Sequence, residues 1–317
     1  MSPDVVSFGE ILWDIYENPK SRQRGEPIGA ELHRMLGGAP ANFAVAFSRL
    51  GKKAAVIGGV GRDAFGDAMV MHLEREHVDT RFVLRYPART GLTFITRDAR
   101  GEPNFLFYRD RTADMAPRAK DITPAMGKAK WMLFGTSTLV EAGLKGATHK
   151  LVQTARKGRA HVAVDLNVRA HLWKSASTMR ANIAELVAHA DLVKASAADL
   201  EAVGGLRWLR AKAPRATLLL TGGALSARAI GPHGDVEART PLAKCVDATG
   251  AGDAFLAGAL AVLLTHRATP GTRAWKSPQV FVSALTVGHL LGKKAISAVG
   301  ATTGLVDLAE AKRLLKR

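Results

Sequence analysis

A chain of 317 residues with 47% hydrophobic residues and a single cysteine can bury a large core, and this excludes a disordered chain and an internal disulfide. Its 45 Lys and Arg against 28 Asp and Glu leave a formal net charge of +17, which admits nucleic acid, an acidic membrane surface or small anionic substrates. The basic residues are scattered, densest at Lys20 to Arg24, Lys52–Lys53, Lys293–Lys294 and Lys312 to Arg317, and only 6% of residues are aromatic, so no nucleic-acid surface is expected. No apolar run approaches the roughly 18 residues of a membrane span. The start MSPDVVSFGE lacks the basic-then-apolar pattern of a secretory leader, so a cytoplasmic protein without a membrane partner is expected.

In chain order, the apolar run Val5–Ile11 predicts a buried strand, Ala41 to Leu50 a helix, Ala54 to Gly58 a strand and Ala64 to Glu76 a helix. The pattern then changes to three short alternating strands, Arg81–Tyr86, Gly91–Arg97 and Pro103–Tyr108, the last two joined by the turn Asp98-Ala99-Arg100-Gly101. Alternation resumes with strands at Trp131–Phe134, Val162–Leu166, Leu192–Lys194 and Ala216–Thr221. Helices are expected at Val140–Arg156, Met179–His189, Gly252–Thr265 and Val280–Lys294. The expected fold is α/β: a doubly wound, mostly parallel sheet flanked by helices, covering residues 1–15, 32–80 and 109–317, with a small β lid from 16–31 and 81–108. A flap beside an α/β crevice suits a closing lid.

Two segments carry chemistry. Asp247-Ala248-Thr249-Gly250-Ala251-Gly252-Asp253 leads into the apolar AFLAGALAVLL. Small residues let backbone approach a ligand, and the following helix offers free N–H groups to an anion. A carboxylate there opposes anion binding unless it does chemistry, so Asp253 is a candidate general base, with an ordinary helix-terminal acid as the plain alternative. Gly37-Gly38-Ala39-Pro40-Ala41-Asn42 opens a helix after a glycine turn, and Asn42 offers both a donor and an acceptor to a polar ligand. Taken alone, the segment reads more simply as a glycine turn with proline near the start of a helix. No GxxxxGK[ST] string is present, which argues against a P-loop nucleotidase.

Together these segments resemble the two signatures of the PfkB (ribokinase-like) family of carbohydrate kinases. Gly37, Gly38, Asn42, Ala44, Gly51 and Gly61 match the first, and Asp247, Gly250 to Asp253, Ala257 and Gly258 match the second. Ala248 departs from the residues usual at its position. Within the family, GEILWD (Gly9 to Asp14), FLFYRDRTADM (Phe105 to Met115) and DLNVRAHLW (Asp165 to Trp173) resemble the bacterial fructokinases. The 2-keto-3-deoxygluconate kinases share the Tyr-Arg feature, in which Arg109 would pair a substrate carboxylate.

The resemblance implies an ATP- and Mg²⁺-dependent kinase acting on a sugar primary hydroxyl, most closely D-fructose to fructose 6-phosphate. Asp253 would be the base and the amides of Gly250, Ala251 and Gly252 the anion hole. Asp14, placed at the end of the first strand, would bind sugar hydroxyls with Asn42, Gly37 and Gly38. Arg109 and Arg169 would face the sugar and the transferring phosphate. On the nucleotide side, Lys194, then Ser196 to Asp199 in the position of an NxxE motif, would steer magnesium and phosphates, Asp199 through water and with no direct metal ligand. Thr221, Gly223 and Ser226 match a TxGxxG nucleotide loop, with Ser226 in place of its last glycine. His289 falls at an adenine-pocket position. A monovalent cation such as K⁺ near the Asp247–Asp253 loop, and a homodimer through the lid, are further implications. The changes at Asp199 and Ser226 also admit a catalytically weak binding protein, and the net charge a basic nucleic-acid binder. Cys245 is expected in a buried strand, without a histidine to activate it.

Overall fold

The computed structural model describes residues 2–21, 26, 28–29, 31–97, 103–223, 226–239 and 243–315. Strand β1 (Val5–Phe8) is buried on both faces: Val5 joins one apolar core, while Val6 and Phe8 join the other. Such two-sided burial is what a continuous apolar run encodes in a parallel sheet. The strand expected over Val5–Ile11 is shorter, because Gly9 and Glu10 break it, and the chain leaves the main sheet to form β2 (Leu12–Glu17).

β2 is the centre of a small second sheet. It pairs antiparallel with β3 (Leu32–Gly37), and the chain then enters helix α1 (Ala39–Arg49). β4 (Ala54–Gly61) returns parallel to β1, followed by α2 (Ala64–Arg75), whose first turn is capped by Asp63 accepting from the Gly66 N–H. β5 (Val83–Tyr86) lies parallel to β4 on the edge of the main sheet. This corrects the expectation of a lid strand over 81–86: its alternation reflects an edge strand half-covered on both faces, not an antiparallel hairpin. β6 (Leu92–Arg97) runs parallel to β2 and antiparallel to β7 (Pro103–Tyr108), completing the order β3-β2-β6-β7. The turn expected at residues 98–101 lies outside the described residues.

The chain then winds the other way: β8 (Trp131–Gly135), α3 (Ala142–Lys157), β9 (His161–Asp165), α4 (Ala176–Val187), β10 (Leu192–Ser196), α5 (Ala197–Val203), α6 (Gly205–Lys212) and β11 (Thr217–Thr221). The hairpin β12 (Ser226–Gly231) and β13 (Gly234–Arg239) adds an antiparallel edge. Helices α7 (Ala251–Thr265), α8 (Pro278–Ala295) and α9 (Leu308–Leu314) close the fold. The main sheet reads β13-β12-β11-β10-β9-β8-β1-β4-β5, with α1, α7 and α8 in one apolar core and α3 and α4 in the other. The strand order reverses between β1 and β8, and crevices beyond the carboxyl ends of strands at such a reversal are where doubly wound sheets hold ligands. Among the described residues no helix is long and apolar enough to cross a membrane.

Candidate active site

Helix α7 is the element that makes a site at this crevice. It is apolar on every side and buried from Asp253 to Leu263, so its amino end is held by the core. Gly250 precedes it with φ 77°, a left-handed conformation that glycine adopts without a Cβ penalty, and a Cβ there would meet the backbone of Ala301 at 2.7 Å. Asp247 fixes the approach. Its Oδ1 accepts from the Thr249 amide and hydroxyl at 3.1 and 2.7 Å, and its Oδ2 from the Gly300 amide at 2.8 Å. Asp247 is thereby a structural anchor for the loop that aims α7.

Asp253 stands in the first turn of α7, 8% exposed. Its Oδ2 accepts from Asn42 Nδ2 at 3.2 Å, across from α1, while Asn42 Oδ1 is buried without a hydrogen-bond partner. Burial pushes the Asp253 carboxyl up to about 7. Asp165 adds to the rise, and Lys194, Asn42 and Arg169 oppose it. Lys194 on β10 lies in register with Asp165 on β9, and its Nζ is 3.1 Å from Asp165 Oδ1. A Cβ on Gly252 would meet that Nζ at 2.7 Å, so the ammonium lies against the amino end of α7. Burial pulls Lys194 down, but Asp165, Asp199 and Asp253 outweigh it and hold the group above its ordinary range.

Gly38 and Gly37 shape the other wall. Gly38 caps α1 at φ 94°, and a Cβ there would strike the Glu10 carbonyl at 2.3 Å. The Asp14 carboxyl occupies the space a Gly37 side chain would fill, 2.5 Å from the virtual Cβ. Asp14 does not end the first strand, as the sequence suggested; it sits in the middle of β2, opposite Met35 of β3. The small sheet therefore carries it to the crevice. Burial, with Asp247 and Glu10 adding to it, pushes its carboxyl up to about 7, against the pull of Arg109. Arg109, just after β7, gives Nε to Asp114 Oδ2 at 2.8 Å and a terminal nitrogen to the same oxygen at 2.7 Å. Asp114 also accepts from the Thr112 hydroxyl at 2.6 Å, so the guanidinium has a fixed buried partner.

The remaining positions are less gathered. Arg169 is exposed and donates to the Val168 carbonyl at a long 3.4 Å, although its charge reaches Asp165 and Asp253. Asp199 is spent locally: Oδ2 accepts from the Ser196 amide and hydroxyl, and Oδ1 from the Val168 amide, each at 2.7 Å. Thr221, Gly222 and Gly223 lead from β11 into β12, where Ser226 pairs with Arg239 and its carbonyl accepts from Gly222 at 2.9 Å; Ala224 and Leu225 lie outside the described residues. His289 on α8 packs edge-on against Phe255 at 5.4 Å, with Nε2 buried and unpartnered, and burial pushes its imidazole down. Cys245 is exposed in the loop before α7, not buried in a strand, because the Asp247 anchor and not a sheet holds that segment.

Sequence reasoning missed Asp165 and Asp114 as members of this cluster. They stand inside the strings DLNVRAHLW and FLFYRDRTADM, but only strand register and tertiary folding bring them beside Lys194 and Arg109. Among the described residues no three His, Cys, Asp or Glu side chains group as a metal site.

The profile of the pfkB family carbohydrate kinases matches residues 2–308. A fructokinase of Klebsiella pneumoniae is 32% identical over 96% of this chain and 97% of its own length, and fructokinase-1 of Zea mays is 31% identical over 99% and 98%. Among solved structures, a fructokinase from Xylella fastidiosa with bound ATP superposes with a TM-score of 0.86 at 28% identity, covering 99% of this chain and 98% of that one. A fructokinase from Vibrio cholerae in a fructose-, ADP- and calcium-bound form gives 0.84 at 25% identity, over 99% and 100%. A glycine-capped, fully apolar helix presenting one buried carboxylate, set at the reversal of a doubly wound sheet and matched from residue 2 to 308, places this chain in the pfkB family of carbohydrate kinases.

Proposed function

We propose that this chain is an ATP-dependent fructokinase that phosphorylates the 6-hydroxyl of D-fructose. The observation that carries the reading is Asp253: a buried carboxyl at the amino end of α7, oriented by Asn42 and raised to about 7, suited to take a proton near neutral pH. In this reading Asp253 removes the hydroxyl proton as the sugar oxygen bonds the γ-phosphorus. The bond from that phosphorus to the β–γ bridging oxygen breaks, and ADP leaves with its electron pair. The amides of Gly250 and Gly252 meet the phosphoryl charge, and that of Ala251, which donates to the Ala248 carbonyl at a long 3.3 Å, joins them by giving up that bond. Asp14 and Asn42 accept and donate to sugar hydroxyls, with Gly37 and Gly38 allowing close approach. Magnesium, when bound with ATP, would supply positive charge to offset that of the phosphates. Asp199 would meet it only through water, since both of its oxygens already accept hydrogen bonds. Lys194, Ser196, Thr221, Gly223, Ser226 and His289 form the proposed nucleotide side, and Arg169 a cation at its margin.

The Arg109–Asp114 pair supports a neutral sugar. A guanidinium already held by a buried carboxylate has no net charge to give a substrate acid, so 2-keto-3-deoxygluconate is disfavoured as acceptor.

The small sheet is read as a lid and as a dimer surface. Phe105, Leu106, Phe107 and Tyr108 of β7 are each more than 40% exposed, and Phe107 stacks on His171 at 5.4 Å, bridging the sheet to the loop after β9. Sedimentation of the wild type and Phe105→Glu tests the dimer: a dimer that dissociates on substitution supports it, and a monomeric wild type ends it. Activity in K⁺ against a tetraalkylammonium buffer tests the cation in the same way.

The function itself is tested by coupled ADP release over fructose, 2-keto-3-deoxygluconate, ribose and nucleosides. Fructose is expected to stimulate release far above the others, and Asp253→Asn to abolish it. A fully active Asp253→Asn variant, or no response to fructose, refutes the reading.

A further inference from the structure

At the end of the main sheet away from the crevice, a cavity of about 750 Å³ opens between the last turns of α1 and α2, the amino end of β4 and the start of α9. That volume lies within the roughly 300–1,000 Å³ of sites that hold small ligands. Five of its lining residues are basic: Arg49, Lys52, Lys53, Arg75 and Arg81. Its three acids are already engaged. Glu76 accepts both prongs of the Arg49 guanidinium, at 2.8 and 2.7 Å, and Asp79 accepts from Arg81 at 2.7 Å. Asp307 caps α9 by accepting from the Glu310 amide at 2.8 Å.

The remaining positive charge is less well matched. Lys52 is half-buried and gives its ammonium to the Thr265 hydroxyl at 2.8 Å, and Arg75 is exposed; neither forms an ion pair among the described residues. Burial pulls the Lys52 ammonium down against the charge of Asp4, whose oxygens are held by Lys130 and the Lys53 amide. Arg49 and Arg75 also offset the negative carboxyl ends of α1 and α2. Lys52 lies beyond the helix, however, and the wall formed by Val306 and Leu308 is apolar, which charge compensation does not need.

One segment joins this cavity to the active centre. Arg49 Nη1 donates to the Thr302 carbonyl at 2.9 Å. Two residues earlier, the Gly300 amide holds Asp247 at 2.8 Å, and between them lies Ala301, whose backbone a Cβ on Gly250 would meet at 2.7 Å. Residues 300–302 thus touch Arg49 on one side and the loop that aims α7 on the other.

We propose that the cavity is an effector site for a small organic phosphate, its anionic group taken by Lys52 and Arg75 beside Arg49 and its carbon body laid on Leu308. Guanidinium and ammonium donors together suit a phosphate, and the apolar wall suits the rest of the molecule. Of the five N–H groups of Arg49, Glu76 takes two and Thr302 one, so two are left for a ligand. Binding therefore adds to the Thr302 contact and does not replace it. An occupied cavity fixes residues 300–302, and a nucleotide at the amino end of α7 needs the same loop in the same place. Two ligands that order one segment each favour the other's binding, by the same factor.

Calorimetry on the whole chain tests this, with glycerol 3-phosphate and 3-phosphoglycerate as probes and a non-hydrolysable ATP analogue in excess, so that the amino end of α7 is occupied. At least one probe is expected to bind at one site per chain. The double variant Lys52→Ala/Arg75→Ala weakens that binding at least tenfold, the scale of hydrogen bonds to charged groups, whereas Asp253→Asn leaves it unchanged. Its melting temperature without ligand should match the wild type, which separates loss of the site from loss of the fold. Titrated the other way, a saturating probe raises the affinity for the ATP analogue about fivefold in the wild type, and not in the double variant. No binding of either probe, equal binding by the double variant, or an analogue affinity that the probe leaves unchanged or lowers overturns the inference; a lowered affinity assigns the probe to the amino end of α7 instead. None of these readings requires fructose to be the acceptor, so the inference stands or falls apart from the fructokinase reading.

Discussion

At the amino end of α7, Asp253, Asn42 and Lys194 are each less than a tenth exposed, and a glycine or a buried partner sets each one's place. Between β11 and β12, by contrast, Gly222 and Gly223 face solvent, and Ser226 is engaged in the sheet edge by its backbone. In the function proposed above, the acceptor end of the cleft is thus assembled before any ligand arrives, while the glycines assigned to the nucleotide end are exposed. Preorganised charge is worth most where the bond changes, and a nucleotide held by exposed backbone can leave after each turnover. Substitutions at the two ends should differ accordingly in which kinetic constant they move.

The largest effect belongs to Asp253→Asn. Loss of the base is expected to reduce kcat by at least the 10²- to 10⁴-fold typical of general base removal, with the KM for ATP little changed. Steady-state kinetics checks this, and a kcat within tenfold of wild type would erase the contrast between the two ends.

The next effect is on the sugar. Asp14→Ala removes a carboxylate acceptor that β2 and Gly37 hold in place, so the KM for fructose should rise roughly 10- to 100-fold, the scale of a hydrogen bond to a charged group. The KM for ATP should stay within a few-fold. An equal rise in both constants would mean that Asp14 shapes the whole cleft and not the sugar end alone.

The acceptor end also carries a pH signature. Asp253 and Asp14 are both raised to about 7, so kcat/KM should fall on the acid side of about pH 7, well above the ordinary carboxylate range. The stability sign follows. Between about pH 4 and 7 the folded chain holds protons that the unfolded chain has released, so these two groups make the protein less stable as pH rises through that window. Asp253→Asn should therefore unfold at a higher temperature than wild type at pH 8 and at nearly the same temperature at pH 4. Thermal unfolding followed at the two pH values checks it, and a variant less stable than wild type at pH 8 would show that the buried carboxylate is not strained.

A smaller and selective change is expected at Asp114→Asn. Freed of its partner, Arg109 should admit an acidic sugar, so the ratio of fructose to 2-keto-3-deoxygluconate kcat/KM should fall roughly tenfold, mostly through the acid. A ratio that stays constant would remove Arg109 from the acceptor end.

How much of the molecule is legible in its sequence follows the same division. The amino end of α7 is readable because its chemistry is local: Gly250 to Asp253 is a contiguous run, and the apolar stretch behind it can only be a buried helix. The pairing of Asn42 with Asp253 is not readable, since those residues are 211 positions apart and only the packing of α1 on α7 joins them. Asp14 falls on the wrong strand in a sequence reading because apolar residues flank Gly9 and Glu10 on both sides, and only those two mark the crossing from β1 into β2. The edge strand β5 misleads for a related reason: half-burial on both faces gives an alternating pattern in a parallel neighbour as well. Helices α5, α6 and α9 and the hairpin β12–β13 escape notice, each a short segment of at most eight residues with little periodicity to show. Asp165 and Lys194 are visible as residues, but strand register is what makes them a pair.

Ser226→Gly should have the smallest effect, and it probes the nucleotide end directly. Ser226 stands where the family pattern ends in glycine, which suggests a turn that here lacks its usual freedom. In the structure the residue opens β12 opposite Arg239, and its carbonyl already closes the turn by accepting from Gly222 at 2.9 Å. Neither interaction uses the side chain, and Ser226 is not among the non-glycine residues with positive φ. Restoring glycine therefore relieves no strain and adds only unfolded-state entropy, a cost of roughly 0.5–1 kcal/mol in a strand. The KM for ATP is expected to change less than about threefold and kcat not at all, with a slightly lower melting temperature. A tenfold gain in ATP affinity would show instead that the serine side chain stands in the nucleotide's way, and the nucleotide end would then be as tightly specified as the acceptor end.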